Sequence, residues 1–141
     1  MDADSERAEA LAAATRALAR REHSQRSLRE RLLRGGVSAE HADEAIEELL
    51  RTGLLDDARY ARERARVLAE RGKGDAAIRF ELDRAGVEAT DVEDAIASLE
   101  PEHERAARLV ARRGASPATA RLLAGRGFDE DVVAAVVAEE T

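Results

Sequence analysis

The sequence contains no cysteine, which excludes disulfide bonds, thiol nucleophiles and zinc sites built on cysteine. Only three residues are aromatic, namely Tyr60, Phe80 and Phe128. With so few rings, base stacking cannot supply affinity for single-stranded nucleic acid, and any such contact must be electrostatic. No apolar run approaches the about 18 residues of a membrane span, and the N-terminus lacks a signal-peptide pattern. We therefore expect a cytoplasmic protein without membrane contact.

Asparagine is also absent, and the only glutamine is Gln25. These amides are the side chains that read adenine in the major groove, so their scarcity disfavours a base-reading protein. The sequence is instead rich in alanine, arginine, glutamate and leucine, with two prolines and no alternation typical of strands. This composition predicts an all-α fold.

One sequence pattern occurs three times. The first two copies lie fifty residues apart and align Leu28, Arg29, Leu32, Gly36, Val37 and Ile46 with Ile78, Arg79, Leu82, Gly86, Val87 and Ile96. A third, shorter copy aligns Leu123, Gly127, Phe128 and Val137 with Leu82, Gly86, Val87 and Ile96. Such periods are typical of repeat proteins, whose units stack to bury their apolar faces. We predict an elongated, curved array of about nine helices in three tandem, helix-turn-helix-like repeats over 1–55, 56–100 and 101–141.

Capping residues and glycines give the expected helix bounds. Ser24 and Ser27 are candidate N-caps, Asp56 caps another helix, and the polar ends 2–9 and 139–141 are expected to be solubilising. The predicted helices are 6–21, 24–34 and 39–52 in the first repeat, 57–70, 75–84 and 89–99 in the second, and 102–113, 117–125 and 129–139 in the third. We expect a monomer.

The charges alternate along the chain although the net charge is −7. The net charges are +5 for 16–34, −5 for 35–50, +2 for 51–84, −7 for 88–104, +6 for 105–126 and −5 for 129–141. One interpretation is a basic surface for a polyanion or a protein–nucleic acid filament, with an acidic flank. The other is that the charges solvate exposed faces and form i,i+4 pairs. Both interpretations remain open for the arginines of the segment 105–126, which contains no acidic residue: Arg105, Arg108, Arg112, Arg113, Arg121 and Arg126.

No catalytic constellation is present in the sequence. The three histidines lack the spacing of a metal site, and each is expected to be a surface or half-buried helix residue: His23, His41 and His103. The glycine-rich stretch 71–75 lacks the phosphate-binding G-x-x-x-x-G-K-[ST] order and is interpreted as an exposed basic linker. The adjacent acids Asp56 and Asp57 fit a helix start better than paired-carboxylate catalysis. We expect no enzyme, metal or cofactor.

Several stretches nevertheless resemble the bacterial RecX regulatory proteins. They are LARREHS at 18–24 followed by Leu28, Leu32 and Gly36; GLLDDARYA at 53–61; RGKG at 71–74 with Ile78, Leu82 and Gly86; and RGF at 126–128 with Val132, Val133 and Val136. The resemblance covers roughly 18–137, and GLLDDARYA is its most specific part. Two positions depart from the family pattern. Asp75 stands where the family usually has proline, and Thr119 replaces the apolar residue of the other repeats, for which Leu122 offers a substitute.

The resemblance implies an all-helical modulator of the RecA recombinase. Such a protein lies in the groove of the RecA–DNA filament and restrains RecA ATPase, strand exchange and co-protease activity in homologous recombination and the SOS response. Within the match, the expected structural residues are Leu54, Leu55, Asp56, Asp57, Tyr60, Gly36, Gly86 and Gly127, with Tyr60 sealing the joint between the first two repeats. The expected filament contacts lie at helix ends or in linkers of basic segments: Arg20, Arg21, Arg26, Arg71, Lys73, Arg112 and Arg113.

Two alternatives remain beside this interpretation. A tandem helix-turn-helix transcriptional regulator would place a helix of each triad in the DNA major groove, although such proteins usually dimerise. An adaptor whose charges only keep it dissolved is the third possibility. The expected partner is the RecA filament on single-stranded DNA, with weak, salt-dependent contact to DNA itself.

Overall fold

The computed structural model describes residues 2–139, which form nine α-helices and no strand. The helices are Ala3–Arg20 (α1), Gln25–Arg34 (α2), Ala39–Thr52 (α3), Asp57–Glu70 (α4), Asp75–Arg84 (α5), Ala89–Ala97 (α6), Glu102–Arg113 (α7), Pro117–Gly125 (α8) and Glu130–Glu139 (α9). The predicted all-α class and the helix order are confirmed.

The helix ends follow the local capping chemistry. Ser24 accepts a hydrogen bond from the Ser27 N–H at 3.1 Å, and the Ser27 hydroxyl accepts one from the Ser24 N–H, so the two serines form a capping box before α2. α1 begins at Ala3 instead of residue 6, because the Asp2 carboxylate caps it by accepting from the Ser5 N–H at 2.8 Å. The polar N-terminal stretch is therefore helical and exposed, and positions 140 and 141 lie outside the described residues.

The chain forms two compact units, and the division falls within α4. Unit 1 comprises the residues up to Tyr60 together with 85–87. In it, α1 and α2 pack on α3 around a core of small and aliphatic side chains: Ala10, Ala14, Ala17, Leu28, Leu32, Ala42, Ala45, Ile46, Leu49 and Leu55. Alanines on α1 allow its close approach to α3. The Ser24 hydroxyl, which is buried, donates to the Ala85 carbonyl at 2.7 Å and so ties 85–87 into this unit.

Unit 2 comprises 61–84 and 88 onward. Here α7 packs on α9, α8 on α9 and α5 on α6, and one cluster contains Ala106, Val110, Leu123, Phe128, Val133 and Val136. Thr119 is itself buried at the position where the other repeats carry Leu28 and Ile78. Its hydroxyl accepts a hydrogen bond from the Ser116 hydroxyl at 3.2 Å, which satisfies the polar atom, while Leu122 stays half-buried.

The linker between α4 and α5 is held against the turn before α9. The Gly74 N–H donates to the Arg126 carbonyl at 2.9 Å, and the Ala76 N–H donates to the Gly127 carbonyl at 3.1 Å. A Cβ at Gly74 would collide with the Gly127 backbone, so only glycine fits there. The prediction of an exposed linker is therefore wrong in part: Arg71 is exposed, whereas Lys73 is half-buried and Gly74 is buried.

The aligned glycines occupy the same turn in each repeat. Gly36, Gly86 and Gly127 follow α2, α5 and α8 with φ of 93°, 82° and 91°, as their role as structural residues predicts. At Gly86 the missing Cβ also makes room for a side chain, because a Cβ there would lie 2.7 Å from Nε of Arg26. Arg26 thus packs against the Gly86 backbone within unit 1.

The two adjacent leucines at the end of the first repeat differ in burial. Leu55 is buried, as predicted, and its N–H donates to the Leu49 carbonyl at 3.0 Å. Leu54 is 54% exposed, so its prediction as a packing residue is wrong. The left-handed turn at Gly53 directs only one of the two side chains into the core. Tyr60 is half-buried, and its sealing of a joint between repeats stays a prediction.

Candidate functional site

A strongly basic groove of about 760 Å³ lies in unit 2. It is lined by seven arginines and two glutamates, with a few apolar side chains at its base: Arg66, Arg71, Arg105, Arg108, Arg112, Arg113, Arg126, Glu70, Glu100, Leu99, Leu109 and Phe128. The groove brings together three of the predicted contact residues, Arg71, Arg112 and Arg113. The predicted contact Lys73 is not part of the lining.

Arg105 is the buried member of this set, with 8% exposure. Its guanidinium donates to the Glu100 carbonyl at 2.8 Å, to the Lys73 carbonyl at 3.0 Å and to the Asp75 carboxylate. It also lies over the Phe128 ring, 5.9 Å from the ring centre. Since every nitrogen of Arg105 has a partner in the protein, its role is to hold the α4–α5 linker to α7.

Asp75, at the position where the resemblance led us to expect proline, strengthens the same junction. Its N–H donates to Oε2 of Glu102 at 2.6 Å, a bond that proline could not make. The second oxygen of Glu102 accepts from the Asp129 N–H at 3.0 Å. One carboxylate therefore satisfies backbone N–H groups at the starts of both α5 and α9, and the departure from the family pattern is compensated by hydrogen bonding.

The two glutamates of the groove are already paired. Glu70 lies 2.6 Å from Arg66, which is also 2.6 Å from Glu63, and the hydrogen bond with Glu63 raises the pKa of Arg66. Glu100 lies 2.6 Å from Arg108. Although the segment 105–126 contains no acid, Arg105 and Arg108 pair with Asp75 and Glu100, which precede it in the sequence.

Four arginines of the groove remain without a carboxylate. Within residues 2–139, no acidic oxygen lies within the ion-pair distance of 4.0 Å of Arg71, Arg112, Arg113 or Arg126. Arg71 lies in the linker, Arg112 and Arg113 lie in the last turn of α7, and Arg126 directly follows α8. The concave surface concentrates four positive charges, which favours a polyanionic ligand.

Unit 1 has a smaller basic groove of about 480 Å³ between α1 and α2. Its charged lining consists of Arg16, Arg20 and Arg31, so it contains only one predicted contact, Arg20. The other predicted contacts of this unit lie elsewhere: Arg21 is exposed at the end of α1, and Arg26 packs against Gly86.

The stretch around Arg59 stabilises unit 1 through several hydrogen bonds. The Arg59 guanidinium donates to Glu22 at 2.6 Å and to the carbonyls of Gly53 and Leu54, and its hydrogen bond to Glu22 raises the pKa of Arg59. The Arg59 N–H donates to Asp56 at 3.1 Å, as predicted for a helix cap. Asp57 accepts from the Gln25 N–H at 2.8 Å. Both acids therefore accept hydrogen bonds from backbone N–H groups at helix starts.

Two of the three histidines contradict the expectation of a surface or half-buried helix residue, because His41 is buried within α3 and His23 is buried before α2. His23 is 2% exposed, and its Nδ1 lies 3.2 Å from the Ser27 hydroxyl. Burial lowers the pKa of His23, and the positive charges of Arg21 and Arg31 lower it further. The described residues contain no group of three or more His, Cys, Asp or Glu placed to hold a metal ion.

Sequence reasoning missed several groove residues, namely Arg66, Arg108 and Arg126 in unit 2 and Arg16 and Arg31 in unit 1. The signal for Arg126 was its position beside Gly127 in the segment without acids. Arg16 and Arg20 are four residues apart, which places them on one helix face. None of the described helices combines the length and apolarity required to cross a bilayer.

Comparison with known proteins agrees with this architecture. The first three-helix domain of RecX matches residues 10–49, and the second matches residues 56–96. A curated relative, Regulatory protein RecX of Acidithiobacillus ferrooxidans, is 35% identical over 144 residues, covering 94% of this chain and 91% of the relative. Regulatory protein RecX of Halorhodospira halophila is 37% identical over 136 residues, covering 89% and 84%.

Solved structures show the same fold. The crystal structure of RecX from Lactobacillus salivarius superposes with a TM-score of 0.81 at 19% identity, covering 96% of this chain and 97% of that one. A second crystal structure of regulatory protein RecX has a TM-score of 0.79 at 22% identity, covering 93% and 72%. The two domain matches and the sequence identity over nearly the full length establish that this chain belongs to the RecX family of regulatory proteins.

Proposed function

We propose that this protein binds the RecA filament on single-stranded DNA and restrains RecA ATPase, strand exchange and co-protease activity in recombination and SOS repair. Family membership supports the partner. The observation that carries the proposal is the set of four arginines without carboxylate partners in one groove of unit 2. The protein acts by binding, as a cytoplasmic monomer without a cofactor.

The charge distribution supports contact with a polyanion at a local basic surface of this protein, although the protein as a whole is acidic. The net charge of −7 opposes strong binding to free DNA. The acidic helices α3, α6 and α9 add negative charge to each repeat, which disfavours approach of a polyanion to those helices. The filament contact is therefore local, and its strength falls as the salt concentration rises.

Within this proposal the contact residues divide into groups. Arg71, Arg112 and Arg113 act together in the groove of unit 2, and Arg20 acts in the smaller groove of unit 1. Arg21, Arg26 and Lys73 complete the proposed set. The three repeats 1–55, 56–100 and 101–141 likewise remain a proposal, supported for the first two by domain matches that lie inside them.

The test is ATP hydrolysis by the cognate RecA on single-stranded DNA, titrated with this protein at two salt concentrations. We expect turnover to fall at substoichiometric amounts of protein, with weaker inhibition at the higher salt concentration. Reversing two charges of the groove, Arg71→Glu with Arg112→Glu, should raise the concentration needed for half inhibition about tenfold or more.

Arg121→Glu, compared with Arg71→Glu alone, is the charge-matched control, because Arg121 is exposed on unit 2 but lies outside the groove. It should inhibit like the unchanged protein. Equal loss in both variants would show that only net charge matters, and no inhibition by the unchanged protein would refute the proposed function. Sequence-selective duplex binding in a parallel assay would then favour a transcriptional regulator.

A further inference from the structure

Four arginines in the groove of unit 2 have no carboxylate within ion-pair distance among residues 2–139, although the three other arginines of the same groove do. Arg66 forms an ion pair with Glu70, Arg108 with Glu100, and Arg105 with Asp75. The groove thus uses all of its acids on other arginines. What remains is a concave surface with four uncompensated positive charges.

We propose that this groove is a binding site for a compact oligophosphate, a chain of three or more linked phosphates, either free or as the tail of a nucleoside triphosphate. A triphosphate carries about four negative charges at neutral pH, which matches the four unpaired arginines. Each guanidinium presents parallel N–H donors that fit two phosphate oxygens, so arginine suits this ligand better than lysine does. The groove contains no lysine.

The backbone fixes the positions from which these arginines reach the groove. A Cβ at Gly72 would lie 2.8 Å from Nη1 of Arg126, so the Arg126 guanidinium rests on the glycine that follows Arg71. The Arg126 carbonyl accepts from the Gly74 N–H at 2.9 Å, which ties the same two segments together. These contacts place the Arg126 guanidinium beside the linker before any ligand binds, which lowers the entropy cost of binding.

The helix dipole does not account for the whole cluster. Arg112 and Arg113 lie in the last turn of α7, where positive charge is favourable even without a ligand. Arg71 lies in the linker that also contains Gly74. Arg126 directly follows α8, and its carbonyl accepts the hydrogen bond from the Gly74 N–H. Convergence of residues from α7, α8 and the linker on one groove is what a multivalent anion requires.

The dimensions of the groove suit a nucleotide as well as a bare phosphate chain. Its volume of about 760 Å³ falls within the range of small-molecule sites, about 300–1,000 Å³. Half-buried Leu99 and Leu109 supply apolar surface for a base or sugar. Under the proposed function, a bound oligophosphate competes with the filament for the same arginines. This consequence alone rests on the proposed function.

Calorimetric titration of the full chain, without recombinase or DNA, tests the site. The probes are sodium tripolyphosphate, ATP, AMP and inorganic phosphate at low salt. We expect tripolyphosphate and ATP to bind at least about tenfold more tightly than AMP or phosphate, since they engage all four arginines. Tighter binding of ATP than of tripolyphosphate would add a nucleoside contact, whereas equal binding would limit the site to the phosphate chain.

Charge-neutralising variants locate the site. Arg71→Gln with Arg126→Gln should weaken tripolyphosphate binding about tenfold or more, whereas Arg121→Gln on the exposed face of α8 should leave it unchanged. Circular dichroism melting would verify that both variants are folded. Equal weakening by Arg121→Gln, equal affinity for all four probes, or no binding of tripolyphosphate at low salt would overturn the proposal. Because the recombinase is absent, this result is independent of the RecA assay.

Discussion

Among the arginines of the groove, Arg105 is the one whose replacement should lower the free energy of unfolding most. Arg105→Met keeps an apolar stem of similar length but removes the guanidinium that bonds to Asp75 and to the carbonyls of Glu100 and Lys73. Breaking a buried ion pair costs about 3–5 kcal/mol. The Asp75 side chain keeps 27% of its exposure, so water replaces part of the lost interaction, and about 3 kcal/mol is the expected loss.

A loss of this size is measurable by thermal and urea denaturation followed by circular dichroism. For a chain of this length it lowers Tm by about 6–12 °C. Arg108→Met is the matched control on the same helix, because Arg108 is 60% exposed and its pair with Glu100 is at the surface. That variant should lose no more than about 1 kcal/mol.

The coupling between the two partners tests the reasoning more directly. If the Arg105 guanidinium acts through Asp75, the losses in Arg105→Met and Asp75→Asn are not additive, and the double variant shows a coupling energy of about 1–3 kcal/mol. Additive losses, or a loss in Arg105→Met no larger than in Arg108→Met, would refute the assignment of Arg105 to the structure of unit 2.

Three further predictions concern glycine packing, pH and an exposed ring. Gly74→Ala should cost about 1–3 kcal/mol in urea denaturation because its Cβ would meet the Gly127 backbone, whereas Gly125→Ala, which meets open space within a helix, should be neutral or stabilising. Tm should fall from pH 7 to pH 5.5, because His23 has its ordinary pKa of 6.5 in the unfolded state and a lower pKa in the folded state, so that protonation favours unfolding. His23→Gln should reduce this fall in Tm, and an identical fall in the variant would contradict the prediction. Phe80→Ala should change the free energy of unfolding by less than about 0.5 kcal/mol, because the ring is 64% exposed.

Local chemistry made most helices predictable from the sequence. The predicted bounds agree for α3, α4, α5, α7 and α8, where serine, aspartate or proline marks the start and glycine or a basic residue the end. The bounds differ where the capping residue was not recognised. Asp2 starts α1 earlier than expected, and α6 ends at Ala97 although apolar residues continue to Leu99.

Contacts between residues distant in sequence were not predictable in the same way. Arg105 and Asp75 are thirty residues apart, so the sequence alone did not reveal that this arginine is buried and paired. The position of Leu54 depended on which side of the Gly53 turn faces the core. In the candidate site, the basic segments predicted Arg71, Arg112 and Arg113, whereas Arg126 lies in a turn whose hydrogen bond from the distant Gly74 was not visible in the sequence.

The hydrogen bond between Ser24 and the Ala85 carbonyl bears on how the protein folds during synthesis. Because unit 1 includes 85–87, its last segment emerges from the ribosome well after Tyr60. Until then the buried Ser24 hydroxyl lacks its acceptor, and Arg26 lacks the Gly86 backbone on which it packs. A fragment that stops at Tyr60 is therefore an incomplete folding unit, and the nascent chain completes its first unit only after the residues between Tyr60 and Ala85 have been made.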